Sequence, residues 1–306
     1  MINKNTEPAK IVVFIRDGLI EKEYFGYIVR CDKMHIEERI GEDKNYPFYL
    51  RSCANPLQAS LLIDHELDKK FNLTDEEIAI CASTHAGEKI HTEVVRSVLN
   101  KFGISPEKLK CGTCGDSNLA LENHCSGKHA MMLGLCKVND WDINSYDNIN
   151  HPVQKAIQEK INKLCEVKTS YPITKDNCGV PVHSMPLANI AKGYLNLFCD
   201  PKYARIKKAF LYHSFLIGGA DRTDTKIISL SSNLIAKVGA SGLCVVVNTE
   251  IEEAFVVKLC DEDLKVRELV TIDLINNLHW AKIEIPHTIE TNKHEIIGEI
   301  VTLLRT

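Results

Sequence analysis

The segment His124-Cys125-Ser126-Gly127-Lys128-His129, with Asp176-Asn177-Cys178-Gly179 further along the chain, supplies two thiols and an amine that could share one small cation. Cys125 and Lys128 stand three apart at a loop-to-helix junction, so both side chains can project from one side of the first turn. Cys178 could close the site from another element. A thiolate at a helix N-terminus is stabilised by the positive end of the dipole, which favours metal ligation or nucleophilic chemistry. Lysine is an uncommon ligand because its amine must first lose a proton. The competing interpretation leaves Cys125 as a small packed hydrophobe and Lys128 in solvent, since free cysteines are commonly buried. Ser-Gly-Lys-His also echoes the end of a phosphate loop. That motif needs a glycine where Glu122 stands and a Ser or Thr where His129 stands, so nucleotide binding is set aside.

The elements that must position these groups belong to an ordinary globular chain. With 306 residues and 44% hydrophobic content it can bury a large core. A formal charge of −4 gives no electrostatic reason to expect nucleic acid or an anionic membrane as partner. The longest apolar runs, such as Ile11 to Ile15, fall far short of the roughly 18 residues a membrane span needs, and no signal-peptide core precedes them. The expectation is a cytoplasmic protein with a small-molecule partner. Its twelve cysteines are then expected to remain thiols. Cys111-Gly112-Thr113-Cys114, the only C-x-x-C, reads as a loop with one useful cysteine, not as a redox pair or half a zinc cage.

Ile11 to Arg16, the turn Asp17-Gly18 and Glu23 to Cys31 suit a β-hairpin. Pro56, in a first helical turn, opens a mostly buried helix to about Phe71, placing Arg51 and Ser52 just ahead of it. Thr74 and Glu77 have capping-box spacing, yet Ile78 to Ala82 reads as a short buried strand that delivers Ser83, Thr84 and His85 at its end. Val94 to Phe102 and Val153 to Leu164 mark amphipathic helices. Asp140 to His151 is a long loop and the candidate subdomain junction. Ile235 to Lys237, Gly242 to Val247 and Ala254 to Leu259 read as consecutive antiparallel strands. Strands early and late with helices between imply an α+β fold whose antiparallel sheet is built from both chain ends.

Several motifs occur in order: Arg51-Ser52-x-x-Asn55-Pro56-Leu57-Gln58, Ser83-Thr84-His85-x-Gly87-Glu88, Cys111-Gly112, Cys125-Ser126-Gly127-Lys128-His129, Asp176-x-Cys178-Gly179-x-Pro181, Arg222-x-Asp224 and Lys237-x-Gly239-Ala240. This set resembles the rhizobial-type L-asparaginase (asparaginase II) family over roughly residues 8 to 300. The resemblance implies one domain over residues 1–306 and a fold similar to serine β-lactamases, penicillin-binding proteins and serine glutaminases. It also implies hydrolysis of L-asparagine to aspartate and ammonia, and a homodimer. The family's zinc ligands carry over onto Cys125, Lys128 and Cys178, and Asp176 matches a position near both metal and substrate.

The family's chemistry resembles two serine-lysine pairs, in which a lysine of lowered pKa activates a hydroxyl. Here Ser52 is retained, but Asn55 stands where the Ser-x-x-Lys lysine is expected, and asparagine is no base. The second serine aligns with Thr84, whose methyl restricts its rotamer. Lys237 matches the second lysine. The expected mechanism is an acyl-enzyme formed by Thr84 or Ser52 with Lys237 as general base, Arg51 holding a substrate carboxylate and Asp176 binding the amino group. From the residues alone, capping and strand-end hydrogen bonds are the preferred roles of Ser52 and Thr84. Two other functions stay open: an amino-acid-binding relative whose catalysis is weakened by Asn55, and a glutaminase-like amidase with a structural metal. His85, His124 and His129 are expected to be structural, and Arg222 with Asp224 to form a turn-stabilising ion pair.

Overall fold

The computed structural model describes residues 6–114 and 118–304. Eight antiparallel strands form the main sheet, in which β1 (Ala9–Arg16) and β2 (Leu19–Cys31) make the expected hairpin. Arg16 pairs with Leu19, and both turn residues are left-handed, Asp17 at φ +46° and Gly18 at φ +80°. That backbone twist matches the strands and explains the Asp-Gly pair. β3 (Ile36–Ile40) pairs with β2, and a second small sheet has the order β4 (Phe48–Tyr49), β6 (Pro181–Met185), β5 (Ile173–Lys175). The main sheet is completed by β7 (Leu234–Gly239), β8 (Leu243–Asn248), β9 (Glu253–Leu259), β10 (Thr288–Glu290) and β11 (Ile296–Thr302), in the order β10-β11-β1-β2-β9-β8-β7. The fold is therefore α+β, with its sheet built from both ends of the chain as the sequence implies.

The helices are α1 (Asn55–Asp64), α2 (Leu67–Lys70), α3 (Asp75–Cys81), α4 (Lys89–Phe102), α5 (Ser126–Val138), α6 (Pro152–Leu164), α7 (Leu187–Phe198), α8 (Ala204–Tyr212), α9 (Ser214–Gly218), α10 (Thr223–Ser229) and α11 (Leu264–Asn277). Every residue of β7 and β8 is buried, so this part of the sheet is covered on both faces; α7 and α11 are the long helices packed on the sheet. α1, α3, α4, α5 and α6 pack on one another beside it.

Two local expectations are corrected, and the placing of Arg51 and Ser52 just ahead of a helix holds. The run Ile78 to Ala82 is not a strand but the core of α3 and its C-cap. The capping box decides this: Thr74 Oγ1 accepts from Glu77 N–H, and Glu77 Oε2 accepts from Thr74 N–H at 2.7 Å. A five-residue apolar run buried on all sides has no period that separates helix from strand. The helix expected to reach Phe71 stops at Asp64 because Glu66 turns left-handed, at φ +54°, before α2. Arg51 and Ser52 lie inside a 3-10 turn, Arg51–Ala54, that runs directly into α1.

Candidate active site and metal centre

The hydroxyl and lysine candidates converge where the Arg51–Ala54 turn, the end of α3 and β7 meet. Glycine at 239 permits this: a Cβ there would lie 3.0 Å from Cys53 Sγ and 3.1 Å from the Leu50 carbonyl. The turn thus seats directly on β7, and Cys53 Sγ donates to the Lys237 carbonyl at 3.3 Å. From α1, Asn55 Nδ2 donates to the Ser83 carbonyl at 2.6 Å and to Thr84 Oγ1 at 3.0 Å. Thr84 is half-buried, its N–H donates to the Ile217 carbonyl, and its own hydroxyl proton meets no acceptor among the described residues. Ser52 is half-buried, and its hydroxyl makes no hydrogen bond among the described residues.

Lys237 is fully buried, and so is its partner Asp224. Lys237 Nζ donates to Asp224 Oδ2 at 2.9 Å and to the Val238 carbonyl at 3.1 Å. Burial opposes the Asp224 charge, but Lys237 and the Val238 N–H outweigh it and hold the carboxyl below its usual range. Among the described residues Lys237 Nζ is hydrogen-bonded to neither Ser52 nor Thr84. Asp224 therefore corrects the expected pairing with Arg222: no ion pair joins those two among the described residues, and α10 delivers Asp224 to β7 instead. Sequence reasoning missed this role, although Arg222-x-Asp224 after Gly218-Gly219 carried the signal. A Cβ on Gly218 would stand 2.7 Å from Asp224 Oδ1, so the glycine makes room for the carboxylate.

Arg51 adopts φ +48°, a left-handed conformation that costs a non-glycine residue about 1–3 kcal/mol. Its Nε donates to Asp176 Oδ1 at 2.8 Å, and its Nη1 reaches Ser241 Oγ at 3.4 Å. Asp176 opens the β5–β6 turn, where Gly179 N–H closes back on the Asp176 carbonyl and Gly179 takes φ +92°. The two expected substrate-binding residues thus meet each other, and the turn they anchor carries Cys178.

Cys125 is the N-cap of α5, and its N–H is held by Asn123 Oδ1 at 2.9 Å. Gly127 lets the first turn of α5 press on α3, since a Cβ would fall 2.1 Å from the Ile80 carbonyl. This close approach accounts for the glycine in the Ser-Gly-Lys sequence. Lys128 and Cys178 are almost fully buried. Cys125, Cys178 and Lys128 lie close enough to perturb one another's ionisation, and His129 also acts on Cys178. Interaction with Cys178, together with burial, raises Cys125, while interaction with Cys125 and the Lys128 charge lower Cys178. Burial alone would lower Lys128, but Cys125, Cys178 and Asp176 together raise it. Among the described residues no three His, Cys, Asp or Glu side chains converge as a metal site. A cation here would take two sulfurs and the Lys128 nitrogen, which leaves one tetrahedral position open.

The histidines serve the frame. His85 is fully buried, with Nδ1 accepting from Gly87 N–H at 3.1 Å and Nε2 lying 2.9 Å from Ser126 Oγ. Burial lowers its pKa to about 3, so the ring is neutral. His124 Nδ1 lies 2.7 Å from the His85 carbonyl, and His129 Nδ1 lies 2.7 Å from the Tyr146 hydroxyl, which also accepts Lys110 N–H. Cys111 and Cys114 are free thiols; Cys111 is buried near Cys178 and pushed up to about 12 by burial.

The α+β frame thus brings the Ser52 and Thr84 hydroxyls to the neighbourhood of a buried Lys237–Asp224 ion pair. Residues 12–301 match the L-asparaginase II family, and the chain belongs to that family. Membership supports an asparaginase or amidohydrolase role with a small-molecule substrate. No curated protein matches the chain. A crystal structure of a β-lactamase from Mycobacterium bovis aligns with 82% of this chain and 94% of its own length, at 13% identity and a TM-score of 0.48. Among the described residues no helix is long and apolar enough to cross a membrane.

Proposed function

We propose that this protein hydrolyses the side-chain amide of L-asparagine. The Arg51–Asp176 contact at 2.8 Å carries the reading. A free amino acid presents a carboxylate and an ammonium a few bonds apart, and this pair offers the complementary charges beside two candidate nucleophiles. Arg51 would turn from Asp176 to fork the substrate carboxylate, leaving Asp176 to the ammonium.

Thr84 or Ser52 then attacks the amide carbonyl, ammonia leaves, and water releases aspartate from the ester. Lys237 acts as base only in its neutral form, and Asp224, 2.9 Å from it and held ionised by it, positions the amine without taking its proton. The neutral amine takes the hydroxyl proton and passes it to the departing nitrogen, which leaves as ammonia. Zinc is the metal of this reading, held by Cys125, Lys128 and Cys178, and when bound it would supply fixed positive charge beside Asp176. The reading also treats residues 1–306 as one domain of a cytoplasmic homodimer.

A second reading has a specific observation behind it. Asn55 occupies Thr84 Oγ1 and Lys237 is locked to a buried carboxylate, which describes a relative that binds the amino acid and has lost turnover. Ammonia release from L-asparagine and L-glutamine, with thermal shift by each, separates the two. Turnover supports the amidase; a shift without ammonia supports the binding protein.

A further inference from the structure

A cavity of about 680 Å³ lies between α11, the start of α10 and the β1–β11–β10 side of the sheet. None of Arg51, Ser52, Thr84, Cys125 or Cys178 lines it. Its volume falls within the range of small-molecule sites, and its walls are largely apolar: Phe14, Val266, Leu269, Ile285, Ile289 and Ile300.

The charges around it are sorted by depth. Glu268 is already satisfied by Lys226 at 2.9 Å and by Thr223 at 3.0 Å. Asp221, Glu290 and Lys265 are exposed at the rim. Two arginines also line it, Arg222 half-buried, with its charge felt at Asp224, and Arg267 buried. Arg222 has no hydrogen-bond or ion-pair partner among the described residues. Arg267 is only 4% exposed; its Nη1 donates to the Gly239 carbonyl at 2.9 Å, while its buried Nε meets no acceptor.

We propose that this cavity binds a small amphiphilic anion, its apolar body against Phe14, Leu269 and Ile300 and its carboxylate or sulfonate toward Arg267 and Arg222. The inference rests on the cavity and not on the amidase chemistry.

Anilinonaphthalene sulfonate, an aromatic anion that fluoresces in apolar surroundings, is a direct probe. The full chain should bind it at one saturable site, from which octanoate displaces it and uncharged octanol does not. Thr288→Trp, which narrows the mouth, and Arg267→Met should each weaken binding at least tenfold. Circular dichroism confirms that each variant is folded, and Thr288→Trp keeps the test open if Arg267→Met fails to fold. Unsaturable fluorescence, equal competition by octanol, or unchanged binding in folded Thr288→Trp would overturn the proposal. So would a failure to bind the dye because a second copy of the chain covers this face, seen as a dimer by light scattering.

Discussion

Asn55 Nδ2 sits 3.0 Å from Thr84 Oγ1, so the side chain standing where a catalytic lysine is expected still addresses the neighbouring hydroxyl. It does so as a donor. Thr84 Oγ1 accepts from it and keeps its own proton for an incoming group, while the Ser83 carbonyl takes the second amide hydrogen. Asn55→Ala removes both bonds in a fully buried setting and should cost about 1–3 kcal/mol in urea denaturation. Asn55→Lys distinguishes the two functional readings: a large gain in ammonia release identifies a weakened enzyme, and no gain over a high wild-type rate identifies a working one.

The Lys237–Asp224 pair makes the obvious base deletion ambiguous. Lys237→Met strands a carboxylate that is fully buried, and breaking such a pair costs about 3–5 kcal/mol. Lys237→Met combined with Asp224→Asn should recover part of that loss in thermal melts and yet remain inactive. Turnover near wild type in the double variant would remove Lys237 from the mechanism.

His85 gives a pH signature with a definite sign. The unfolded chain binds its proton near pH 6.5, the folded chain only near pH 3. Between those values the unfolded state holds more protons, so this contribution is complete above pH 6.5 and is lost as pH falls toward 3. Urea midpoints measured from pH 7 to pH 4 should decline, and His85→Gln should flatten the decline. An equal slope in the variant would assign it to other groups.

Metal analysis addresses the thiol cluster. The purified chain should carry one zinc, and Cys178→Ser should weaken its binding by more than about 100-fold, because even partners outside the ligand set are worth 10–100-fold. Cys260→Ser, at an exposed thiol, serves as the control. Equal zinc content in both variants would place the metal elsewhere.

The hairpin turn Asp17-Gly18 and strands β7 to β9 were legible because turn chemistry and apolar runs acted locally. Residues 288–302 were not, since the short, partly exposed strands β10 and β11 depend on pairing with β1 at the other end of the chain. α3 was misread because burial on every side erases the period, although Thr74 and Glu77 already encoded its start. At the site, the residue types at Cys125, Lys128, Cys178, Arg51 and Asp176 were legible, and the structure brings them together. What spacing could not reveal was partner choice. Arg51 turns to Asp176 and Lys237 to Asp224 across elements distant in sequence, whereas Arg222 and Asp224, two apart, do not pair.

Ammonia release from L-asparagine tests the central claim most directly, measured on the zinc-analysed protein beside Thr84→Val and Ser52→Ala. The account predicts wild-type turnover and at least about a thousandfold loss in the variant that lacks the acylated hydroxyl. No turnover in the wild type, or wild-type rates in both variants, would contradict it.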